Sequence, residues 1–147
     1  VYVSIKIFIK EQEKMGKYQV DSNLTSNEWQ IKNKARDNYF IADIADKSGG
    51  PTPVEYLAGA VNSCISISAG MIAKVHHLDV KNFAVKNIVI TEKLTHGMSD
   101  VASMKIRISF DSSMSEEEKD KFLQHTLRVS TVYQTLQKEV LMDVKLV

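Results

Sequence analysis

Cys64 is the only cysteine among the 147 residues, and its thiol is the most reactive group that the sequence offers. A single thiol cannot form an internal disulfide, and it excludes CxxC-type zinc and redox motifs. Two interpretations stay open for a lone cysteine in an apolar helix: a nucleophile, or a small buried hydrophobic side chain. A nucleophilic thiol must be ionised near neutral pH, whereas a free cysteine has a pKa of about 8.5. A nearby cation would therefore have to activate Cys64.

The histidines and serines are weaker candidates for chemistry. His76 and His77 close the predicted helix, where a cation complements the C-terminal dipole. No histidine has metal-ligand spacing with another, and the serines beside Cys64 lack a G-x-S-x-G elbow. We therefore expect neither a metal nor a cofactor, and no serine hydrolase chemistry.

The segment that carries Cys64 has a clear helix-start signal. The loop at 46–52 contains Gly49, Gly50 and Pro51, and Thr52 can then serve as the N-cap. Pro53 fits the first helical position, and Glu55 stands three residues after the cap, which is the spacing of a capping box. The helix should continue to about His77, a length of about 37 Å.

This predicted helix is apolar around most of its circumference. Only small polar residues interrupt Leu57, Val61, Cys64, Ile67 and Met71. Because such a helix is buried on several sides, we expect either a sheet and a second helix, or a partner subunit, to enclose it.

Strands with alternating polarity surround the helix in the sequence. The order is three strands, the long helix, two strands, two helices and a final strand, which predicts an α+β domain with an antiparallel N-terminal sheet. Ser115 and Glu118 offer a second capping box. The predicted strands are Val3–Ile9, Lys17–Thr25, Trp29–Ile44, Ala84–Leu94, Val101–Phe110 and Leu141–Val147, and the later helices are Ser113–Val129 and Ser130–Lys138.

Length and charge limit the function classes. We expect residues 1–147 to form a single domain, with residues 1–14 as a possible extra N-terminal strand. The net charge is +1, and its 19 basic and 18 acidic residues are interspersed, which argues against nucleic-acid binding. The longest apolar stretches fall short of the length that a membrane span needs, and the N-terminus lacks a signal-peptide core. We predict a cytoplasmic protein without a membrane partner.

Three segments in order resemble the OsmC/Ohr family. GGPTPVEYLAGAVNSC is similar to the family's glycine-rich loop, proline, glutamate and reactive cysteine in a long helix. ARDNYFIAD resembles the strand before that loop, and STVYQTL resembles the motif around a second, resolving cysteine. The resemblance covers about residues 17–147. It implies an OsmC-like fold of antiparallel sheets around a long central helix, in an intertwined homodimer.

The same resemblance implies three catalytic residues. Cys64 would be the peroxide-reactive cysteine, and Arg36 would supply the cation, in cis or in trans, through a planar group that can hydrogen-bond both thiolate and peroxide. Lys34, two residues away on the same predicted strand face, could substitute. Glu55 matches the glutamate of some OsmC-like members, but it lies on the face opposite Cys64, about 13 Å along the axis. Two alternative interpretations stay open. Arg36 could be an ordinary surface residue of a strand, and Glu55 could serve only in the helix cap.

Ser130 stands where the family has its second cysteine. Without a second thiol, oxidised Cys64 would need an external thiol reductant. The sequence thus supports two hypotheses. The first is a thiol-dependent reductase of organic hydroperoxides with one reactive cysteine, and the second is a non-catalytic dimeric binding protein with the same fold.

Overall fold

The computed structural model describes residues 16–138 and 141–147, so the predicted strand Val3–Ile9 lies outside the described residues. The chain divides between Thr52 and Pro53 into two compact units. Each unit has its own three-stranded sheet, and all helices of eight or more described residues belong to the second unit.

The first unit is an antiparallel meander. Strands β1 (Asp21–Leu24), β2 (Ile31–Ala35) and β3 (Asn38–Ala42) pair in that order, as predicted for an antiparallel N-terminal sheet. The single strand predicted over Trp29–Ile44 is wrong, because the chain reverses at Arg36 and Asp37. Asp and Asn hydrogen-bond nearby backbone and favour turns, and the side-chain amide of Asn38 donates to the carbonyl oxygen of Ala35 at 3.4 Å.

The glycine-rich loop returns against β3. The backbone N–H of Asp43 donates to the carbonyl oxygen of Pro51 at 3.1 Å. A Cβ atom at Gly50 would collide with the backbone oxygen of Ile41, and one at Gly49 would collide with the buried Asp43 carboxylate. Gly50 is therefore required by this close approach to backbone rather than by a left-handed conformation, whereas a side chain at Gly49 would have to displace the Asp43 and Gln30 side chains.

The second unit contains a mixed sheet in the order β4–β5–β6. The long strands β4 (Lys81–Lys93) and β5 (Ser99–Asp111) form the predicted hairpin, connected by a short 3-10 turn at Thr95–Gly97. The closing strand β6 (Leu141–Leu146) joins β5 in parallel. The expectation of purely antiparallel sheets therefore does not hold for this strand, because the helices between β5 and β6 return the chain to the starting end of β5.

Three helices accompany this sheet. Helix α1 (Pro53–Val75) begins at the predicted proline, α2 spans Glu116–Val129, and α3 spans Thr131–Leu136. The Ser115–Glu118 capping box is confirmed: the N–H of Glu118 donates to Ser115 Oγ at 3.3 Å, and the N–H of Ser115 donates to the Glu118 carboxylate at 2.8 Å. These contacts fix the start of α2.

The core of the second unit lies between the inner face of the sheet and the helices. Its largest cluster joins α1, β5 and α2, through Val61, Ile65, Met104, Ile106, Ile108, Leu123 and Leu127. A second cluster lies at the C-terminal end of α1, where Phe122 contacts Phe83 and Phe110 edge-on. This core fixes the orientation of α1 and therefore of Cys64.

Helix α1 is long and apolar enough to cross a membrane by length and composition alone. The mean hydropathy of its most apolar 18 residues is 1.4, and only 28% of these residues are buried. The prediction that every apolar stretch is too short for a span is therefore wrong for α1. Core helices of soluble proteins pass the same test, and the absence of a membrane partner stays a prediction.

Candidate functional site around Cys64

Cys64 lies at the boundary between the buried and exposed faces of α1. The buried residues recur at helical spacing on one face, as Val61, Ile65, Ala69 and Ile72. Cys64 is rotated by about 100° from Ile65 around the axis, and it is partly exposed. Cys64 is therefore not fully buried within the described residues, and the interpretation as a fully buried hydrophobic side chain does not describe it.

The exposed side of α1 is also apolar. Ile67, Met71 and Val75 keep 63%, 66% and 70% of their surface exposed. With Ala60 and Cys64 they follow the spacing of one helical stripe, which we call the α1 stripe. Residues 16–138 and 141–147 thus bury only one face of a helix that was predicted to be enclosed on several sides, and the α1 stripe stays exposed among them.

Glu55 lies in the first turn of α1, where an acidic side chain complements the helix dipole. The unbroken helix from Pro53 confirms that Glu55 and Cys64 lie on opposite faces, about 13 Å apart along the axis. Thr52 precedes the first helical residue, as the capping-box hypothesis requires. A catalytic role for Glu55 stays a prediction.

Arg36 is not on a strand, contrary to the prediction. It is the first residue of the two-residue turn between β2 and β3, with a positive φ of 56°. Positive φ is the backbone geometry that tight hairpin turns require. Its side chain is exposed, and with Lys17, Tyr18 and Lys34 it lines a groove of about 580 Å³ in the first unit. Arg36 and Lys34 were predicted to share a strand face. They are neighbours because both line this groove.

Ser130 occupies the junction between α2 and α3 and is fully buried. Its hydroxyl donates to the carbonyl oxygen of Thr126 at 2.7 Å, and its own carbonyl accepts from the N–H of Gln134. Ser130 thus joins two helices, a role that a cysteine would fill with a much weaker donor. The hydroxyl of Thr126 is buried without a hydrogen-bond partner among the described residues.

Tyr133 in α3 was not singled out from the sequence. It packs against the cluster that contains Val61 and Ile65, the α1 residues on either side of Cys64 in the sequence. Burial raises the pKa of the Tyr133 phenol, so the phenol stays protonated at neutral pH and can donate a hydrogen bond. A partly buried tyrosine in a short helix gives no sequence signal that separates such a donor from ordinary packing.

His76 and His77 end helix α1, as predicted. The contacts that end it are made by backbone groups rather than by the imidazole side chains. His77 has a positive φ of 51°, the N–H of His77 donates to Lys74, and the N–H of Leu78 donates to Ala73 at 2.9 Å. This pattern is a Schellman motif. Within residues 16–138 and 141–147, no three histidine, cysteine or acidic side chains are grouped to hold a metal ion.

Comparison with known proteins gives a family match but no match among curated proteins. The model of the OsmC-like protein family matches residues 45–145, more than half of the chain. The matched range contains Cys64, Glu55 and Ser130 and excludes Arg36.

Solved structures show the same fold at low sequence identity. An OsmC-like protein from Mycoplasma pneumoniae has a TM-score of 0.82 at 15% identity, over 90% of this chain and 96% of that one. The organic hydroperoxide resistance protein OhrB of Bacillus subtilis has a TM-score of 0.69 at 11% identity, over 90% and 98%. An organic hydroperoxide resistance protein OsmC from Legionella pneumophila has 0.71 at 9%, over 90% and 97%. The α+β architecture and the family model agree, and the chain belongs to the OsmC-like protein family.

Proposed function

We propose that this chain is a thiol-dependent reductase of organic hydroperoxides in which Cys64 is the single reactive cysteine. The observation that carries the proposal is the position of Cys64, partly exposed and surrounded on its side of α1 by apolar residues. An apolar surface around a thiol favours a substrate with an organic group. The structural relatives named for organic hydroperoxide resistance are consistent with this chemistry.

The reaction is a two-electron transfer. The Cys64 thiolate attacks the outer oxygen of the hydroperoxide, the O–O bond breaks, and the alkoxide takes a proton and leaves as an alcohol. Cys64 becomes a sulfenic acid. An external thiol then forms a mixed disulfide with Cys64 and releases water, and a second external thiol restores the Cys64 thiol and leaves as a disulfide. The external reductant is required because the sequence has no second cysteine.

The α1 stripe supports a homodimer as the active form. Three large apolar side chains exposed on one helix face are unusual for a monomeric surface when they are contiguous. A second copy that packs on this stripe would bury Ile67, Met71 and Val75 and would enclose Cys64 at the interface. We propose Arg36 as the cation that stabilises the thiolate in the assembled protein, because it is permanently charged and matches the arginine of the family motif.

The test is steady-state turnover of cumene hydroperoxide with dithiothreitol as the external thiol. Cys64→Ser should abolish turnover, whereas Ser66→Ala, two residues away on the same helix, should retain it. Arg36→Ala should slow alkylation of the Cys64 thiol near pH 7, and Lys47→Ala, another exposed cation of the first unit, should not. Equal turnover by Cys64→Ser and the unmodified protein would overturn the proposal.

One observation favours a second candidate, a dimeric binding protein without catalysis. Ser130 is fully buried and hydrogen-bonded at the position of the family's second cysteine, so the internal disulfide cycle is lost. The pH dependence of Cys64 alkylation separates the two candidates. A midpoint below about 7 supports catalysis, and a midpoint near 8.5 or above, unchanged in Arg36→Ala, supports the binding protein.

A further inference from the structure

The sheet of the second unit has an outer face, opposite the core, that carries a row of three cations. Lys86, Arg107 and Lys145 are direct neighbours in the register, one on each of the three strands. Neighbouring strands lie about 4.8 Å apart. Lys105 lies two residues from Arg107 on the same face, so four cations share a small area.

One carboxylate compensates only part of this charge. Asp143 accepts from Arg107 Nη2 at 3.1 Å and lies 3.8 Å from Lys145 Nζ. Lys86 and Lys105 make no ion pair within residues 16–138 and 141–147. Like charges directly opposite each other destabilise a sheet, so this row is better stabilised when an external anionic group covers it.

The complementary anions lie on the same face. Glu92 and Asp100 are cross-strand partners near the tip of the β4–β5 hairpin. Val101 packs against the core, so its neighbour Asp100 points outward. Glu92 is six residues from Lys86 along β4, which is about 20 Å. The outer face is thus basic at one end and acidic at the other.

Exposed apolar side chains lie between the two ends. Ile88 and Ile90 follow Lys86 on β4, and Leu141 lies across the sheet from Ile90 through Ser103. All three are substantially exposed. Lys105 is the cross-strand partner of Ile88 and adds one cation to this otherwise apolar centre. An apolar centre between charged ends is the arrangement of a protein interface.

We infer that this outer face associates with the same face of a second copy. The two copies would be related by a two-fold axis that lies in the plane between the sheets. This axis runs perpendicular to the strands at the level of the Ile88–Ile90 segment. It places the basic end of one copy over the acidic end of the other. Lys86 then faces Glu92 of the partner subunit, and the isoleucines meet at the centre. Aligned sheets pack face to face in this way in β-sandwiches.

A second copy fits this face better than a membrane or a nucleic acid. A nucleic acid and an anionic membrane surface carry negative charge throughout, and Glu92, Asp100 and Asp143 would repel them. The described residues of the outer face include no aromatic side chain on which a base could stack. Only a partner with alternating charge matches both ends.

This contact differs from the apolar homodimer proposed for the α1 stripe. Two different two-fold interfaces on one chain produce a tetramer when their axes intersect at right angles, and an open chain when the axes do not intersect. Because the outer face depends on charge, its association should weaken with salt, whereas the association through the α1 stripe should not.

The experiment is sedimentation of the full chain at 20 mM and 500 mM NaCl. The expected result is a larger species at low salt that dissociates at high salt. Lys86→Glu alone and Glu92→Lys alone should each weaken this association by about tenfold, since each affects two symmetric contacts. The double variant K86E/E92K should restore it, and Lys47→Glu, an equal charge change in the first unit, should leave it unchanged.

The Met71→Lys variant provides a background in which the α1 stripe is disrupted. There, the outer-face contact should remain as a salt-sensitive dimer, so failure of either interface can be recognised separately. Three results overturn the inference: no salt-sensitive species, single variants without effect, or no restoration in the double variant. Binding of polyglutamate to an unassociated protein would instead assign the face to an acidic partner and would likewise overturn it.

Discussion

Replacement of Met71 by lysine tests whether the α1 stripe is an interface. Burying a whole methionine side chain stabilises by about 1.5–3 kcal/mol, and 66% of the Met71 surface is still exposed in the single chain. A partner that covers it would therefore gain about 1–2 kcal/mol at each Met71. A symmetric dimer contains two copies, so the loss is about 2–4 kcal/mol, or about 30- to 700-fold in the dissociation constant.

Lysine suits this test because its helix propensity is close to that of methionine, and its charge complements the C-terminal end of α1. The measurement is sedimentation equilibrium at 500 mM NaCl, which suppresses contacts that depend on charge. The control is Met98→Lys, the same change at a methionine that is 55% exposed outside the helix. A dissociation constant for Met71→Lys within threefold of the control would refute the reasoning.

Three further predictions concern stability, measured as the free energy of unfolding in urea. Thr126→Val removes a buried hydroxyl that has no partner among the described residues and should stabilise by about 1–2 kcal/mol; destabilisation would contradict this account. Gly50→Ala should destabilise the protein by more than about 1 kcal/mol because the new Cβ meets backbone. As a control, Gly59→Ala in α1 adds a Cβ in open space and should stabilise by about 0.5–1 kcal/mol. Equal effects of the two variants would be inconsistent with the close approach at Gly50. Hydrogen bonds from Ser115 lower the pKa of Glu118 below its ordinary 4.5. A carboxyl group whose pKa is lower in the folded than in the unfolded state stabilises the fold at pH values above its unfolded pKa. This stabilisation is lost as the pH falls through the folded pKa. The destabilisation by Glu118→Gln should therefore be present at pH 7 and shrink below about pH 4.5, because the backbone N–H of Ser115 is the main donor to this carboxylate. A constant difference down to pH 2 would disprove this linkage.

The helix start and the hairpin of the second unit were predictable because their signals are local. Pro53 can begin a helix, and the Ser115–Glu118 pair satisfies the first N–H groups of α2. The alternation in β4 and in the second half of β5 is regular, so one side of the sheet had to be buried.

The turn at Arg36 was missed because apolar residues continue on both sides of it. Alternation alone does not reveal where a strand reverses, and only Asp37 and Asn38 provided a turn signal. The parallel pairing of β6 was also beyond prediction, since it depends on where α2 and α3 return the chain. Such a return is a property of tertiary packing rather than of the local sequence.

The candidate site was predictable in part. The sequence identified Cys64 and its helix, and the resemblance identified Ser130 as a replaced cysteine. Neither the sequence nor the resemblance could show that α1 buries only one face among the described residues. An apolar helix face looks the same in the sequence whether a sheet of the same chain or a partner subunit covers it. The roles of Arg36 and Glu55 stay predictions.

The most direct test of the central claim is a single turnover of Cys64. The protein is mixed with one equivalent of cumene hydroperoxide and a sulfenic-acid trap, without external thiol, and is then analysed by mass spectrometry and for released alcohol. The account predicts one trapped sulfenic acid on Cys64 and one cumyl alcohol per chain, with neither product in Cys64→Ser. Unmodified Cys64 with intact hydroperoxide, or equal alcohol release by the variant, would contradict it.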